Sequence, residues 1–349
     1  MSEARTDQKP FEGRLHPYYA AACQTAFACP RTRSEIAVRT DTMCKMIEQT
    51  IIGYEPFFDV RLFVFPEYAH GGPVYETVKE IREKIAVPVP NEHTEQYEQT
   101  AAKYGCYIQS GSFLEYDPDY PEAVFNTSVL IGPDGILAKY RKMNPWIPWE
   151  VHASPHDFSD YDAEYFPVVD TEIGRLGTAI CYDWAFPETI RQIADNGAEI
   201  ITRVSAYMDP WGAVPPTEWW SLFNRVRAIE NMVYVVAANQ GTSPEGLPPF
   251  SWPGSSMIAD YDGRVLAQAD SGPGEKITVA PLDVEFLRAE RRRRLGHNMR
   301  AHSRTEAHDC FRNPVFPRGE HPINVEQLQD RIRAAQKKLN FRNGSGGDR

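Results

Sequence analysis

The sequence predicts a layered α/β protein, and three observations carry that prediction. Strand-length apolar runs alternate with segments whose apolar residues recur at helical spacing along most of the chain. The runs at 198–204 and 232–238 are almost continuously apolar, without the alternation of a half-exposed strand, so each is buried on both faces. With 349 residues, 42% of them hydrophobic and 24% charged, the chain is long enough for sheets to be covered by helices and also packed on something else.

The elements follow in order. Residues 18–24 form a short apolar strand, and Ile36, Met43, Ile47 and Ile51 then share one face of a helix. The next strand, Leu62-Phe63-Val64-Phe65-Pro66-Glu67, ends on a carboxylate. Helices are expected near 73–86 and 91–104, then strands at about 106–113, 124–132 and 136–141, the last two joined by the turn Gly132-Pro133-Asp134-Gly135. Residues 176–180 lead as a strand into Cys181. A helix starts near Pro187 with Ile190, Ile193 and Ala194 inward, and Trp219, Leu222, Phe223, Val226 and Ile229 are expected as the inner face of another, between the two continuous strands. Residues 243–254, with four prolines, read as a loop, and nothing in them demands a place at a pocket. Beyond residue 283 the texture changes to Arg291–Arg294 in a row, scattered histidines, a proline-spaced stretch through Pro322, and an amphipathic helix near 324–340. The expected organisation is one domain over 15–290, a C-terminal extension over 291–342 in an oligomer interface, and disordered tails at 1–14 and 343–349.

The formal net charge of -11 argues against a nucleic-acid surface, because phosphate is held by clustered Lys and Arg. The run of arginines at a helix end reads instead as a solvated or ion-paired face. No stretch reaches the roughly 20 apolar residues of a membrane helix, and the first residues are polar without the apolar core of a signal peptide, so the cytoplasm is the expected compartment. Cys23, Cys29, Cys44, Cys106, Cys181 and Cys310 lack repeated short spacings and read as reduced thiols. His297, His302, His308 and Cys310 match no usual zinc spacing, so no metal is assigned to them.

Cys181 is the most informative residue, since it stands where an apolar strand turns into a helix, the place where sites gather in α/β folds. Glu67 and Lys142 occupy comparable strand ends. A carboxylate, an ammonium and a thiol at one sheet edge suit attack on a carbonyl-type carbon. The carboxylate takes the thiol proton, the cation stabilises the oxyanion, and the thiolate is the nucleophile.

Phe63-Val64-Phe65-Pro66-Glu67-Tyr68, Lys139-Tyr140-Arg141-Lys142, Ala179-Ile180-Cys181-Tyr182-Asp183 with Phe186-Pro187-Glu188, and Arg227-Ala228-Ile229-Glu230-Asn231 resemble, in order, the motifs of the nitrilase (carbon-nitrogen hydrolase) superfamily. The resemblance runs from about residue 19 to 282. It implies a four-layer α-β-β-α sandwich, a homodimer or a multiple of it, and a Glu-Lys-Cys set without metal or organic cofactor. Glu67 matches the general base, Cys181 the nucleophile, and Lys142 the oxyanion donor together with the backbone N–H of Tyr182. Glu150, eight residues after Lys142 in Lys142-Met-Asn-Pro-Trp146-Ile-Pro-Trp149-Glu150, is similar to the second glutamate of the aliphatic amidases. Tyr182-Asp183 after the cysteine resembles the amidase branches rather than the Cys-Trp-Glu of nitrilases proper, whereas Val151-His152-Ala153-Ser154 departs from the aliphatic amidases.

The expected activity is therefore hydrolysis of a small carboxamide to acid and ammonia through a Cys181 thioester. Tyr68, Trp146, Trp149, Tyr182 and Trp184, adjacent to the motifs, are the candidate substrate-binding residues, while Trp219 and Trp220 are assigned to packing of their own helix. Arg203 is kept as a candidate receiver for a substrate carboxylate. An N-carbamoyl-amine hydrolase, a nitrile hydrolase, and a catalytically silent binding protein of the same fold are the rival readings.

Overall fold

The computed structural model describes residues 13–28, 30–72, 75–146, 149–243, 251–304, 307 and 321–338. Residues 1–12 of the tail expected over 1–14, the tail at 343–349, residues 244–250 of the four-proline loop, the proline-spaced stretch over 308–320 with His308 and Cys310, and Cys29 lie outside the described residues. In chain order the elements are β1 (Tyr18–Gln24), β2 (Ala26–Phe27), α1 (Arg33–Tyr54), β3 (Val60–Val64), α2 (Val78–Lys84), α3 (Glu92–Tyr104), β4 (Tyr107–Glu115), β5 (Phe125–Gly132), β6 (Gly135–Arg141), β7 (Val168–Thr171) and β8 (Gly174–Ile180). They continue as α4 (Pro187–Asp195), β9 (Ile200–Ser205), α5 (Trp219–Asn231), β10 (Tyr234–Asn239), β11 (Gly241–Thr242), β12 (Met257–Ala259), β13 (Val265–Gln268), β14 (Lys276–Leu282), α6 (Val284–Arg293), α7 (Met299–His302) and α8 (Val325–Lys338).

Two six-stranded sheets form the centre, ordered β14-β1-β3-β4-β5-β6 and β13-β12-β10-β9-β8-β7. Each has three parallel strands at its middle, β1-β3-β4 in one and β8-β9-β10 in the other, flanked by antiparallel neighbours. The period-2 geometry of a strand sorts side chains between two cores. Ala20, Ala22, Leu62 and Val64 face the second sheet, whereas Ala21, Cys23, Phe63 and Phe65 face α1 and α3. α4 and α5 cover the far face of the second sheet, which gives helix, sheet, sheet, helix. The mixed α/β layering read from the sequence is the observed fold.

Local chemistry explains the element ends. Asn91 Oδ1 accepts the N–H groups of His93 (2.8 Å) and Thr94 (3.0 Å) to start α3, and Gly105 at φ +62° ends it. The helix expected over 73–86 is shorter, because Thr77 caps α2 by accepting the Glu80 N–H at 3.1 Å, and Val87 already bridges Glu115 as a strand does. α5 turns its faces opposite to expectation. Trp220, Asn224, Arg227, Ala228 and Asn231 are buried, while Trp219 and Leu222 of the apolar stripe are exposed. The inward polar side chains take specific partners, with Arg227 Nε donating to the Trp184 carbonyl (3.2 Å) and Asn224 accepting from Arg203 (2.9 Å), while Asn224 Nδ2 and Asn231 Oδ1 stay without one among the described residues.

Within the arginine run, Arg291 and Arg294 are engaged by their own chain and Arg292 is exposed. Arg291 donates to the carbonyls of Ala198 (2.8 Å) and Met232 (2.7 Å), and Arg294 pairs with Asp262 (2.6 Å) and Glu290 (2.9 Å). The extension also meets its own chain. Asn324 bridges Thr77, the Val78 N–H donates to the Ile323 carbonyl (3.2 Å), and Arg331 pairs with Asp157 at 2.9 Å. Among the described residues, no helix is long and apolar enough to cross a membrane, and no three His, Cys, Asp or Glu side chains are grouped as metal ligands.

Candidate active site

Three strands deliver the reactive groups from their C-terminal ends. β3 runs on through Phe65, whose N–H still pairs with the Gln109 carbonyl (3.0 Å), and the chain turns at Tyr68, a non-glycine residue at φ +57°. That turn leaves Glu67 pointing into the crevice between the sheets. β6 ends at Arg141, whose guanidinium is held by Glu115 (2.9 and 2.8 Å). The next side chain, Lys142, therefore projects the opposite way, into the crevice. β8 ends at Ile180, and Cys181 sits at φ +44°, a conformation an L side chain adopts only at a cost of about 1–3 kcal/mol.

Asp183 holds that turn. Its carboxylate accepts the Ile180 N–H (3.0 Å), the Tyr140 hydroxyl (2.7 Å), and the backbone N–H (2.8 Å) and Nδ2 (3.0 Å) of Asn144. It thus ties the cysteine turn of one sheet to the lysine segment of the other. Burial raises its carboxyl to about 6, against these donors and the Lys142 charge, so it remains mostly ionised at neutral pH.

Lys142 Nζ, with no exposed surface, lies 2.7 Å from Glu67 Oε1 and 2.9 and 2.8 Å from the two oxygens of Glu150. An ammonium has three protons, and three carboxylate oxygens account for them. Glu67 Oε1 also accepts Asn126 Nδ2 (2.8 Å), and its Oε2 accepts the Ala206 N–H (3.1 Å). Glu150 further accepts the Tyr68 hydroxyl (2.5 Å) and the Trp146 N–H, with His152 Nε2 at 3.1 Å.

The two glutamates differ in consequence. Burial raises Glu67, with the Lys142 charge pulling the other way and Glu150 adding to the rise. Glu150 is equally buried, but Lys142 and His152 hold it well below the ordinary carboxylate range. For Lys142, desolvation would lower the ammonium; the two glutamates outweigh it and keep it charged. Burial, with the Glu67 charge, pushes the Cys181 thiol up to about 12, opposed by Lys142 and Arg203.

Glu67, Glu150, Cys181 and Tyr68 border one cavity of about 300 Å³. Of the expected binding residues, Tyr68, Trp146, Trp149 and Tyr182 line it. Trp184 does not. It is fully buried under α5, its indole N–H donating to the Ala179 carbonyl (3.2 Å), because the tight turn after Cys181 swings it behind the strand. Trp219, expected to pack its own helix, lines the cavity instead, while Trp220 is packed inside. Arg203 is not a carboxylate receiver at the cavity wall. It is fully buried between Trp220 (4.3 Å from the ring centre), Trp184 (5.3 Å) and Tyr207 (5.4 Å).

The sequence reading missed Asn126, which clamps both Glu67 and, through its carbonyl, the Lys142 N–H (2.8 Å). It also missed the bracing role of Asp183 and the wall formed by Tyr207, Met208 and Trp252. The four-proline loop held the signal for Trp252, and the register of β5 beside β6 held that for Asn126.

The model of the carbon-nitrogen hydrolase family matches residues 19–292. A formamidase of Bacillus cereus (strain Q1) is 31% identical over 283 residues, covering 80% of this chain and 76% of its own. Among solved structures, the NitFhit protein of C. elegans superposes with a TM-score of 0.65 at 26% identity, covering 85% of this chain and 67% of that one. Saccharomyces cerevisiae Nit3, a member of branch 10 of the nitrilase superfamily, superposes with a TM-score of 0.64 at 24% identity, over 79% and 93%. The ordered strand ends, the crevice they share and a family match over most of the chain lead to one conclusion: this protein belongs to the carbon-nitrogen hydrolase family and is an enzyme of carbon–nitrogen bond hydrolysis.

Proposed function

We propose that the enzyme is an amidase that converts a primary carboxamide to a carboxylic acid and ammonia. The observation that carries this reading is the Lys142 ammonium bridging Glu67 and Glu150 beside Cys181, at one end of a cavity. The formamidase relatives support it.

Glu67 accepts the Cys181 proton as Sγ bonds to the carbonyl carbon. Proton transfer within the pair avoids a free thiolate, which the thiol's high pKa makes costly. The carbonyl oxygen becomes an oxyanion, which takes the Tyr182 N–H and one Lys142 proton released from Glu150. Collapse breaks the C–N bond while Glu67 returns its proton to nitrogen, and ammonia leaves a thioester on Cys181. Water then loses a proton to Glu67 and adds to the thioester. Collapse breaks the C–S bond, and the proton goes back to sulfur. Glu150 orients Lys142 throughout.

The test is ammonia release from primary amides, with intact-protein mass spectrometry for an acyl adduct that Cys181→Ala abolishes. Ammonia without a Cys181-dependent adduct would sink the reading. An N-carbamoyl substrate would add carbon dioxide to the products, and a nitrile would release ammonia without an amide in the assay. The reading places the enzyme in the cytoplasm, where its thiol stays reduced. The exposed Leu222 of α5 supports a homodimer or larger assembly through that face.

A further inference from the structure

The aromatic lining of the cavity is unlike anything a one-carbon acyl group needs. Trp146, Trp149, Trp219 and Trp252 stand around it with Tyr207 and Met208. Its about 300 Å³ corresponds to on the order of ten waters at roughly 30 Å³ each, and lies at the low end of the about 300–1,000 Å³ range of pockets that enclose drug-sized ligands. Formamide has three heavy atoms. It would leave most of this space as water against indole faces, which is unfavourable.

Charge is confined to one end. Glu67 and Glu150 are the charged side chains on the lining, and both are carboxylates, which repel a substrate anion. The nearby cation Arg203 is fully buried behind Tyr207 and Trp220 rather than at the wall.

The carboxylate beside Cys181 is crowded. Both oxygens of Glu67 are already engaged by fixed donors, Lys142, Asn126 and the Ala206 N–H, within 2.7–3.1 Å. In the proposed mechanism Glu67 protonates the leaving nitrogen, and an amide NH₂ is the smallest group that can sit beside so crowded a carboxylate, which leaves the aromatic lining to the acyl half.

We infer that the substrate is a primary carboxamide whose acyl half is an uncharged aromatic or arylalkyl group seated on Trp146, Trp252 and their neighbours. The inference rests on the amidase reading for its chemistry but on the cavity for its selectivity, and the two are tested apart.

In wild-type protein, kcat/KM for phenylacetamide should exceed that for acetamide by about 10- to 100-fold, the value of burying one phenyl-sized group. It should exceed those for formamide, succinamate and N-benzylacetamide by more. Trp252→Ala should cut the phenylacetamide-to-acetamide ratio about tenfold.

Binding is read independently by tryptophan fluorescence of Cys181→Ala protein, or of Cys181→Ser if the alanine form does not fold. Phenylacetamide should bind at least about tenfold more tightly than acetamide. Selective binding without turnover of any amide would sustain the pocket assignment and sink the amidase reading. Turnover led by formamide, acetamide or the anionic amide would overturn the inference and leave that reading standing. N-benzylacetamide outperforming phenylacetamide would overturn it too, by moving the apolar group to the amine side.

Discussion

The two sheets bring opposite kinds of electrostatics to the same crevice. The first supplies Glu67, Lys142 and Glu150, all buried and all mutually paired, with one more negative charge than positive. The second supplies a neutral thiol and, behind it, the fully buried Arg203, whose Nη1 donates to Asn224 (2.9 Å) while Nε and Nη2 have no hydrogen-bond acceptor. Among the described residues Arg203 enters no ion pair; its charge rests on three aromatic rings. An excess anion on one side thus faces an unneutralised cation on the other. The thiol between them is flanked by a group that can take its proton and a charge that favours its anion.

Breaking the comparison at its centre has the largest effect. Cys181→Ala should lower amide turnover on the order of 10⁴-fold or more, measured as ammonia release; retained turnover would remove Cys181 from the chemistry. Lys142→Met attacks the paired side. It leaves two buried carboxylates facing each other, so turnover should fall about 10²- to 10³-fold, and urea unfolding should show a loss of about 3–5 kcal/mol. Unchanged stability would mean that the carboxylates are not held by that ammonium.

A pH profile sharpens the same contrast. In the proposed mechanism Glu67 works as its anion, and its carboxyl is raised above the ordinary 4.5 by burial, so activity should fall with falling pH at a midpoint above that value. An acid limb at or below 4.5 would contradict the buried base. The smallest effect belongs to the unpaired side. Arg203→Met should move the midpoint of iodoacetamide labelling at Cys181 upward by about one unit, and Arg203→Lys should recover part of it. No shift in either variant would reduce Arg203 to packing.

What could be read from residues alone follows the same division. Glu67, Lys142 and Cys181 were legible because each closes an apolar strand, and Glu150 because its spacing from Lys142 repeats a known motif. Asn126 was not, since it lies inside a strand and matters only through its register with β6. α5 was misread because periodicity identifies an apolar face without saying what it touches, and here the polar face is the buried one. β7, β12 and β13 are three or four residues long, too short for alternation to show.

The Asp183 brace has a consequence for how the nucleophile comes into being during synthesis. Its partners Tyr140 and Asn144 sit on one sheet and Ile180 on the other, and the first sheet gains its edge strand β14 only from residues 276–282, paired with β1. A nascent chain that has just exposed Cys181 lacks β9, β10 and the Trp252 wall. Its thiol, unbraced and open to water, has neither the docked base nor the aligned turn. The grouping of thiol, carboxylate and ammonium is a product of the completed fold, so partial chains and proteolytic fragments carry Cys181 without it.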